Sequence, residues 1–160
     1  MTTTLFLHGL DSSSQGTKGR YFKKYFPDVL CPDFSGDLAQ RLDQLKKICA
    51  PYEKMTLIGS SFGGLMATIF AIRQPTRVGR LFLLAPALNF EQFTPPASPI
   101  ITPTLLIKGK NDTVCPPDLV RPLAEKTFTD LEVRCGDDDH LLREMFLEID
   151  WQDQLADSRS

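Results

Sequence analysis

No window of the chain approaches the roughly 18–20 consecutive apolar residues that a membrane-spanning helix requires, so bilayer insertion is not expected. The opening Met1-Thr2-Thr3-Thr4 runs straight into an apolar stretch, without the basic and apolar regions of a secretion signal. Cys31, Cys49, Cys115 and Cys135 include no CxxC pair, which removes the usual spacing for structural zinc or dithiol redox chemistry. They are read as small buried apolar side chains, kept reduced in the cytoplasm, the expected location. Charge of one sign is lacking too: 18 basic residues stand against 20 acidic ones, a formal net charge of −2. That field recruits neither nucleic acid nor an anionic membrane. The densest basic stretch, Lys18, Arg20, Lys23 and Lys24, is read as a solvated helix face. Repeats, low-complexity tracts and interdomain linkers are also missing. What is left is a 160-residue chain, 42% hydrophobic and 24% charged, the composition of one soluble globular domain over residues 1–160.

The apolar pattern switches between short β-like runs and helical periodicity. Strands are expected near Thr4–Leu7, Val29–Pro32, Met55–Ile58, Leu81–Leu84, Thr104–Ile107 and Leu131–Cys135. Helices are expected around residues 18–26, along the Leu38, Leu42, Leu45, Cys49 stripe, and over 65–72 and 119–127. A last helix carries Leu141, Leu142, Met145, Phe146 and Ile149 on one face, and residues 151–160 read as a frayed polar tail. Strands that are apolar throughout imply a sheet covered on both faces. Strand–helix alternation with short links implies right-handed crossovers and parallel pairing. The expected fold is a three-layer α/β/α sandwich around a six-stranded, mostly parallel sheet.

Gly59-Ser60-Ser61-Phe62-Gly63 fits G-x-S-x-G, lying after an apolar strand and opening a helix. That strand–turn–helix setting is the one a nucleophile elbow requires. The glycines suit a turn too crowded for a Cβ, and the serine hydroxyl emerges at a helix N-terminus. Ser60, one position early, is expected to point inward. A serine hydroxyl needs a base beside it to act as a nucleophile, and the chain has only two histidines. The order serine, acid, histidine that accompanies this motif selects the downstream one, His140. His8, in His8-Gly9-Leu10, then braces a loop in which Leu10 presents its backbone N–H. Asp112 follows the fifth strand and is the acid that orients His140. Asp118 lies inside the next helix, and Asp137, Asp138 and Asp139 are too local to reach His140. Asp33 is read as a turn or cap residue. The backbone N–H groups of Leu10 and Phe62 supply the two donors that an acyl-transfer oxyanion wants in place beforehand. No metal is called for.

These residues resemble the α/β-hydrolase superfamily, and within it the chain is similar to the small bacterial YqiA-like esterases. The resemblance rests on Leu7-His8-Gly9 with Ser12-Ser13, the Gly59–Gly64 run, Ala85-Pro86-Ala87, and Asn111-Asp112. It implies a minimal hydrolase sheet lacking the first two strands of the full-size fold. It also implies cofactor-free hydrolysis of carboxylic esters with mostly short acyl chains. The chain departs from that pattern in the three aspartates before His140. The segment after the fourth strand is too short for a helical cap, so the site is expected to be open. Leu10, Phe62, Leu88, Phe90, Phe93 and Val114 are its candidate walls. The expected partner is a small-molecule ester or thioester, with the protein a monomer or small homo-oligomer. Thioester hydrolysis uses the same machinery, and a non-catalytic binding protein on the same scaffold is a further alternative.

Overall fold

The computed structural model describes residues 1–156. Five strands, β1 (Thr3–Leu7), β2 (Met55–Ser60), β3 (Val78–Leu84), β4 (Thr104–Gly109) and β5 (Leu131–Gly136), pair in parallel in that order. The connections carry α1 (Thr17–Tyr25), α2 (Leu38–Cys49), α3 (Phe62–Arg73) and α4 (Pro117–Thr127), with α5 (Met145–Glu148) and α6 (Trp151–Ala156) after the last strand. Because side chains alternate along a strand, each strand supplies both faces. Leu5, Leu7, Leu57, Leu81, Leu83 and Leu106 pack with α2, α3 and α4. Phe6, Ile58, Phe82, Leu84, Leu105 and Ile107 pack with α1, α5 and α6. The result is the expected three-layer sandwich, and no described helix is long and apolar enough to cross a membrane.

The sheet has five strands where the sequence pattern suggests six. At Val29–Pro32 only one bridge forms, Leu30 beside Leu5, with Leu30 N–H donating to Thr4 and Phe6 N–H donating to Leu30. Pro32 has no N–H to extend the ladder, so this segment caps the sheet edge without joining it. β5 is the other edge, and its side chains are half-buried or exposed, as an edge with helices only partly over it allows.

Helix α3 runs through the interior, with Gly63, Gly64, Leu65, Met66, Ala67, Thr68, Phe70 and Ala71 all buried. It can lie this close to β1 because Gly63 has no side chain: a Cβ there would strike the Leu7 carbonyl and lie 2.7 Å from the His8 carbonyl oxygen. Helix α2 starts from a capping box in which Asp37 accepts from the Gln40 N–H and the Gln40 side chain accepts from the Asp37 N–H.

The apolar repeat after β5 is not one helix. Leu142 is buried at φ 50, a left-handed conformation that interrupts helical winding. Residues 145–148 then form one short turn of helix, and Ile149 is extended. The same spacing still buries Leu142, Phe146 and Ile149, but Leu141 is left exposed. Nor is the tail frayed where it is described. Trp151 is 1% exposed, packs edge-on against Phe22 and Phe82, and donates its indole N–H to the Phe146 carbonyl. Leu155 is buried one turn later, while residues 157–160 lie outside the described part.

Trp151→Ala is expected to destabilise the fold by about 3–5 kcal/mol, as deletion of a buried indole does elsewhere. Urea unfolding of the two proteins checks this, and a difference under about 1 kcal/mol, the size of an ordinary surface change, would mean that α6 is not part of the core.

Candidate active site

In a parallel sheet all C-terminal strand ends lie on one edge, where open α/β sheets bind ligands. Here that edge carries His8–Leu10 after β1, Ser61 after β2, Asp112 after β4 and His140 after β5. Ser61 has φ 55 and ψ −115, outside the regions an L-residue ordinarily occupies. It is held there by its N–H donating to Leu84, and by its carbonyl accepting from Gly64, Leu65 and Ala87. The strained turn lifts the hydroxyl off the strand.

The two loops that carry Asp112 and His140 are bonded to each other. Lys110 N–H donates to Gly136, Asn111 N–H to Asp138, and the Asn111 amide to the Asp137 carboxylate. Asp112 Oδ1 accepts from the Val114 and Cys115 N–H groups at 2.9 and 2.8 Å. Its Oδ2 lies 2.8 Å from His140 Nδ1, and His140 Nε2 lies 2.9 Å from Ser61 Oγ. The carboxylate side chain is 0% exposed. Since Asp112 can only accept while ionised, Nδ1 carries the ring proton and Nε2 offers its lone pair to the serine hydroxyl. The three residues singled out from the sequence thus form one hydrogen-bonded chain.

His8 plays a different part. Its Nε2 accepts from the Phe34 N–H at 2.9 Å, so Nδ1 is protonated and donates to the Gly9 carbonyl at 2.7 Å. Across a trans peptide the Gly9 carbonyl and the Leu10 N–H point in opposite directions, so fixing one fixes the other. A Cβ on Gly9 would stand 4.0 Å from Ser61 Oγ, which places this loop beside the serine. Asp33 tethers the far side of the loop, accepting from the Ser14 N–H and hydroxyl. Those two bonds from Ser14 hold its carboxyl below the usual carboxylate range. Phe62 occupies the first position of α3, where an N–H has no partner within the helix.

An open cleft of about 750 Å³ lies over these groups, walled by Leu10, Phe62, Phe90, Val114 and Leu141 and edged by Lys18, Asn89 and Glu91. Among the described residues no helix separates β3 from β4, so the cleft has no cap. Two expected walls are elsewhere: Leu88 is 0% and Phe93 8% exposed, and both pack in the core with α2 and α3. Burying these large side chains is more favourable than leaving them in an open cleft. Ser60, expected to face inward, is half-buried on the cleft wall.

Sequence reasoning missed Lys18, Leu141 and Cys115. Lys18 is no solvated residue: its ammonium donates to the Leu141 carbonyl at 2.7 Å and lies 5.5 Å from the Phe146 ring centroid. It clasps α1 to the loop of His140, a contact across 123 positions that no local pattern announces. Cys115 lines the cleft with Ser61, and burial, followed by the Asp112 charge, pushes its thiol up to about 12. It is a protonated neighbour at neutral pH. Its spacing from Asp112 in one tight turn was the available clue.

The aspartate run is structural. Asp138 accepts from the N–H groups of Asp139, Glu144 and Met145, and Asp139 accepts from Leu141. Burial raises the Asp138 pKa, but the backbone donors of Met145, Asp139, Glu144 and Arg143 outweigh it and leave it lowered.

A family model for the alpha/beta hydrolase fold matches residues 8–101. No curated protein matches the sequence. Among solved structures, mouse alpha/beta hydrolase domain-containing protein 10 is 18% identical, with 98% of this chain and 90% of that one covered at a TM-score of 0.78. MGS-MChE2, an alpha/beta hydrolase enzyme from the metagenome of Mar Chica lagoon sediments, Morocco, is 22% identical, with coverages of 99% and 92% and a TM-score of 0.76. A monoacylglycerol lipase of Paleococcus ferrophilus is 17% identical, with coverages of 98% and 92% and a TM-score of 0.73.

A carboxylate with a lowered folded-state pKa stabilises above its unfolded value, about 4, and that contribution is lost as pH falls through the folded value. Wild type is therefore expected to lose more stability than Asp138→Asn between pH 6 and pH 3, measured by urea unfolding at each pH. Parallel losses in the two proteins would show that Asp138 does not hold the His140 loop in this way.

Proposed function

Because the chain belongs to the alpha/beta-hydrolase fold family, we propose that it is a serine hydrolase of carboxylic esters, preferring short acyl chains. Ser61 is the nucleophile, His140 the general base and Asp112 the acid that orients it. The observation that carries this reading is the continuous chain of hydrogen bonds from buried Asp112 through His140 to Ser61.

The substrate carbonyl carbon approaches Ser61 Oγ, and the ester is cleaved in two stages, acylation of the serine and hydrolysis of the acyl-enzyme. As the Oγ–carbon bond forms, the hydroxyl proton passes to His140 Nε2 and the carbonyl π pair moves onto its oxygen. Asp112, with Oδ1 occupied by two backbone donors, keeps its charge on the Nδ1 side and stabilises the imidazolium. The Leu10 and Phe62 N–H groups receive the oxyanion, with the α3 N-terminus behind them. Collapse breaks the ester carbon–oxygen bond, and Nε2 returns its proton to the departing alcohol. Water then repeats the sequence on the acyl-enzyme, releasing the acid and restoring Ser61. The raised pKa of Cys115 favours the serine over the thiol as nucleophile, since a thiol must ionise to attack.

The cleft supports small substrates. It is open and has apolar walls at Leu10, Phe62, Phe90, Val114 and Leu141. A monoacylglycerol lipase on the same fold is in keeping with ester chemistry.

Turnover of p-nitrophenyl acetate through octanoate, with Ser61→Ala alongside, tests the proposal. The parent is expected to hydrolyse the short esters best, and the variant to lose roughly 10⁴-fold or more in kcat. Asp112→Asn is expected to lose roughly 10³- to 10⁴-fold by disturbing the His140 tautomer. Undiminished turnover in Ser61→Ala would reject the assignment. So would a parent that neither turns over esters nor reacts with a fluorophosphonate, which would point to a binding protein.

A further inference from the structure

Arg41 is buried on α2, 5% exposed, in a place where a guanidinium is costly to keep. Among the described residues it has no ion-pair partner. Its Nε donates to the Gly36 carbonyl at 2.8 Å and its Nη2 to the Leu10 carbonyl at 3.3 Å. Its Nη1 is enclosed and meets no acceptor among the described residues. The guanidinium carbon stands 5.5 Å from the centroid of the Phe62 ring. The two side-chain and backbone groups it touches at the cleft, Leu10 and Phe62, are the residues whose N–H groups are assigned to the oxyanion.

An arginine cannot shed its proton to relieve such a burial. A neutral side chain of the same length would satisfy the Gly36 carbonyl with less desolvation, so the positive charge itself calls for an explanation. We propose that Arg41 is a positioning residue of the acyl-transfer site, and that its missing counter-charge is the anion formed during the reaction. Through Nη2 it holds the Leu10 carbonyl, which with the His8 bond to the Gly9 carbonyl fixes the two consecutive peptides that flank Leu10. Through its stacking on Phe62 it fixes the first residue of α3. Its standing charge lies beside the Leu10 carbonyl and the Phe62 ring, where it favours a negative oxygen at the two donors more than the neutral carbonyl of the bound ester. Arg41 touches no reacting atom; it acts through Leu10 and Phe62.

This inference rests on the assignment of Ser61 as nucleophile, and its test separates the two. Arg41→Gln and Arg41→Lys are compared with the parent on p-nitrophenyl acetate, with thermal unfolding to establish that each is folded. The glutamine variant is expected to lose roughly 10- to 100-fold in kcat, less than deletion of an oxyanion donor, with KM within about 2-fold. The lysine variant keeps the charge and recovers part of that loss. A purely structural role would not confine the change to kcat. Amide exchange by NMR supplies a reading that needs no turnover: Leu10 and Asp11 are expected to exchange faster in Arg41→Gln while the α3 core is unchanged. A folded glutamine variant with unaltered kcat overturns the inference while leaving the esterase intact. If the parent turns over no ester, the esterase falls, and unaltered exchange at Leu10 and Asp11 then overturns the holding role of Arg41 as well. Should the glutamine variant fail to fold, the lysine variant decides: a kcat lowered a few-fold at unchanged KM, with faster exchange at Leu10 and Asp11, supports the role, and kcat and exchange both equal to the parent overturn it.

Discussion

The close approach of Gly63 of α3 to the Leu7 and His8 carbonyls at the end of β1, where a Cβ would not fit, sets the spacing around the cleft. With α3 drawn this near, its first turn faces the Gly9–Leu10 loop and the chain must reverse sharply at Ser61, whose φ of 55 is the visible consequence. The turn survives because β3 takes the Ser61 N–H and the segment after β3 takes part of its carbonyl. Strain at one residue is thus held by hydrogen bonds to β3, to the segment that follows it and to the first turn of α3. A side chain at position 63 would push helix and strand apart, and the serine, its helix and the Leu10 loop would no longer share one face.

A second economy governs the other half of the edge. Asp112 and His140 come from different strands, but their loops form one hydrogen-bonded body in which Asp138 collects the backbone N–H groups of the turn after β5. Lys18 fastens that body to α1 through the Leu141 carbonyl. On the opposite side, His8, Asp33 and Arg41 each bind backbone of the segment after β1. Polar side chains therefore act mainly on main-chain groups here, stiffening loops that the small sheet alone would leave free.

Much of this edge was legible in the sequence, and the reason is local. G-x-S-x-G, the two histidines and Asn111-Asp112 each follow an apolar run, and parallel strands bring all such positions to one side. Hence Ser61, Asp112, His140 and His8 could be assigned before any coordinates. Features that depend on tertiary accommodation were not. Apolar spacing at 141–149 is served equally by a helix or by a bent chain around a left-handed Leu142, and the pattern does not distinguish them. Val29–Pro32 reads as a strand but reaches the sheet edge just as Pro32 removes the next donor. Leu88 and Phe93 look like wall residues because they lie in a loop, yet the loop folds its apolar side chains onto the core. Arg41 carries no signal of its own: in the sequence it is one more charge on an amphipathic helix.

The central claim is that Ser61, His140 and the Leu10 and Phe62 N–H groups form one acyl-transfer site. Its most direct test is a crystal structure of the protein after reaction with a p-nitrophenyl phosphonate, whose tetrahedral phosphorus mimics the intermediate. The account predicts a covalent bond from phosphorus to Ser61 Oγ, with the phosphoryl oxygen about 2.7–3.1 Å from both N–H groups. An adduct on another residue, or a phosphoryl oxygen turned to solvent with those donors unengaged, would contradict it.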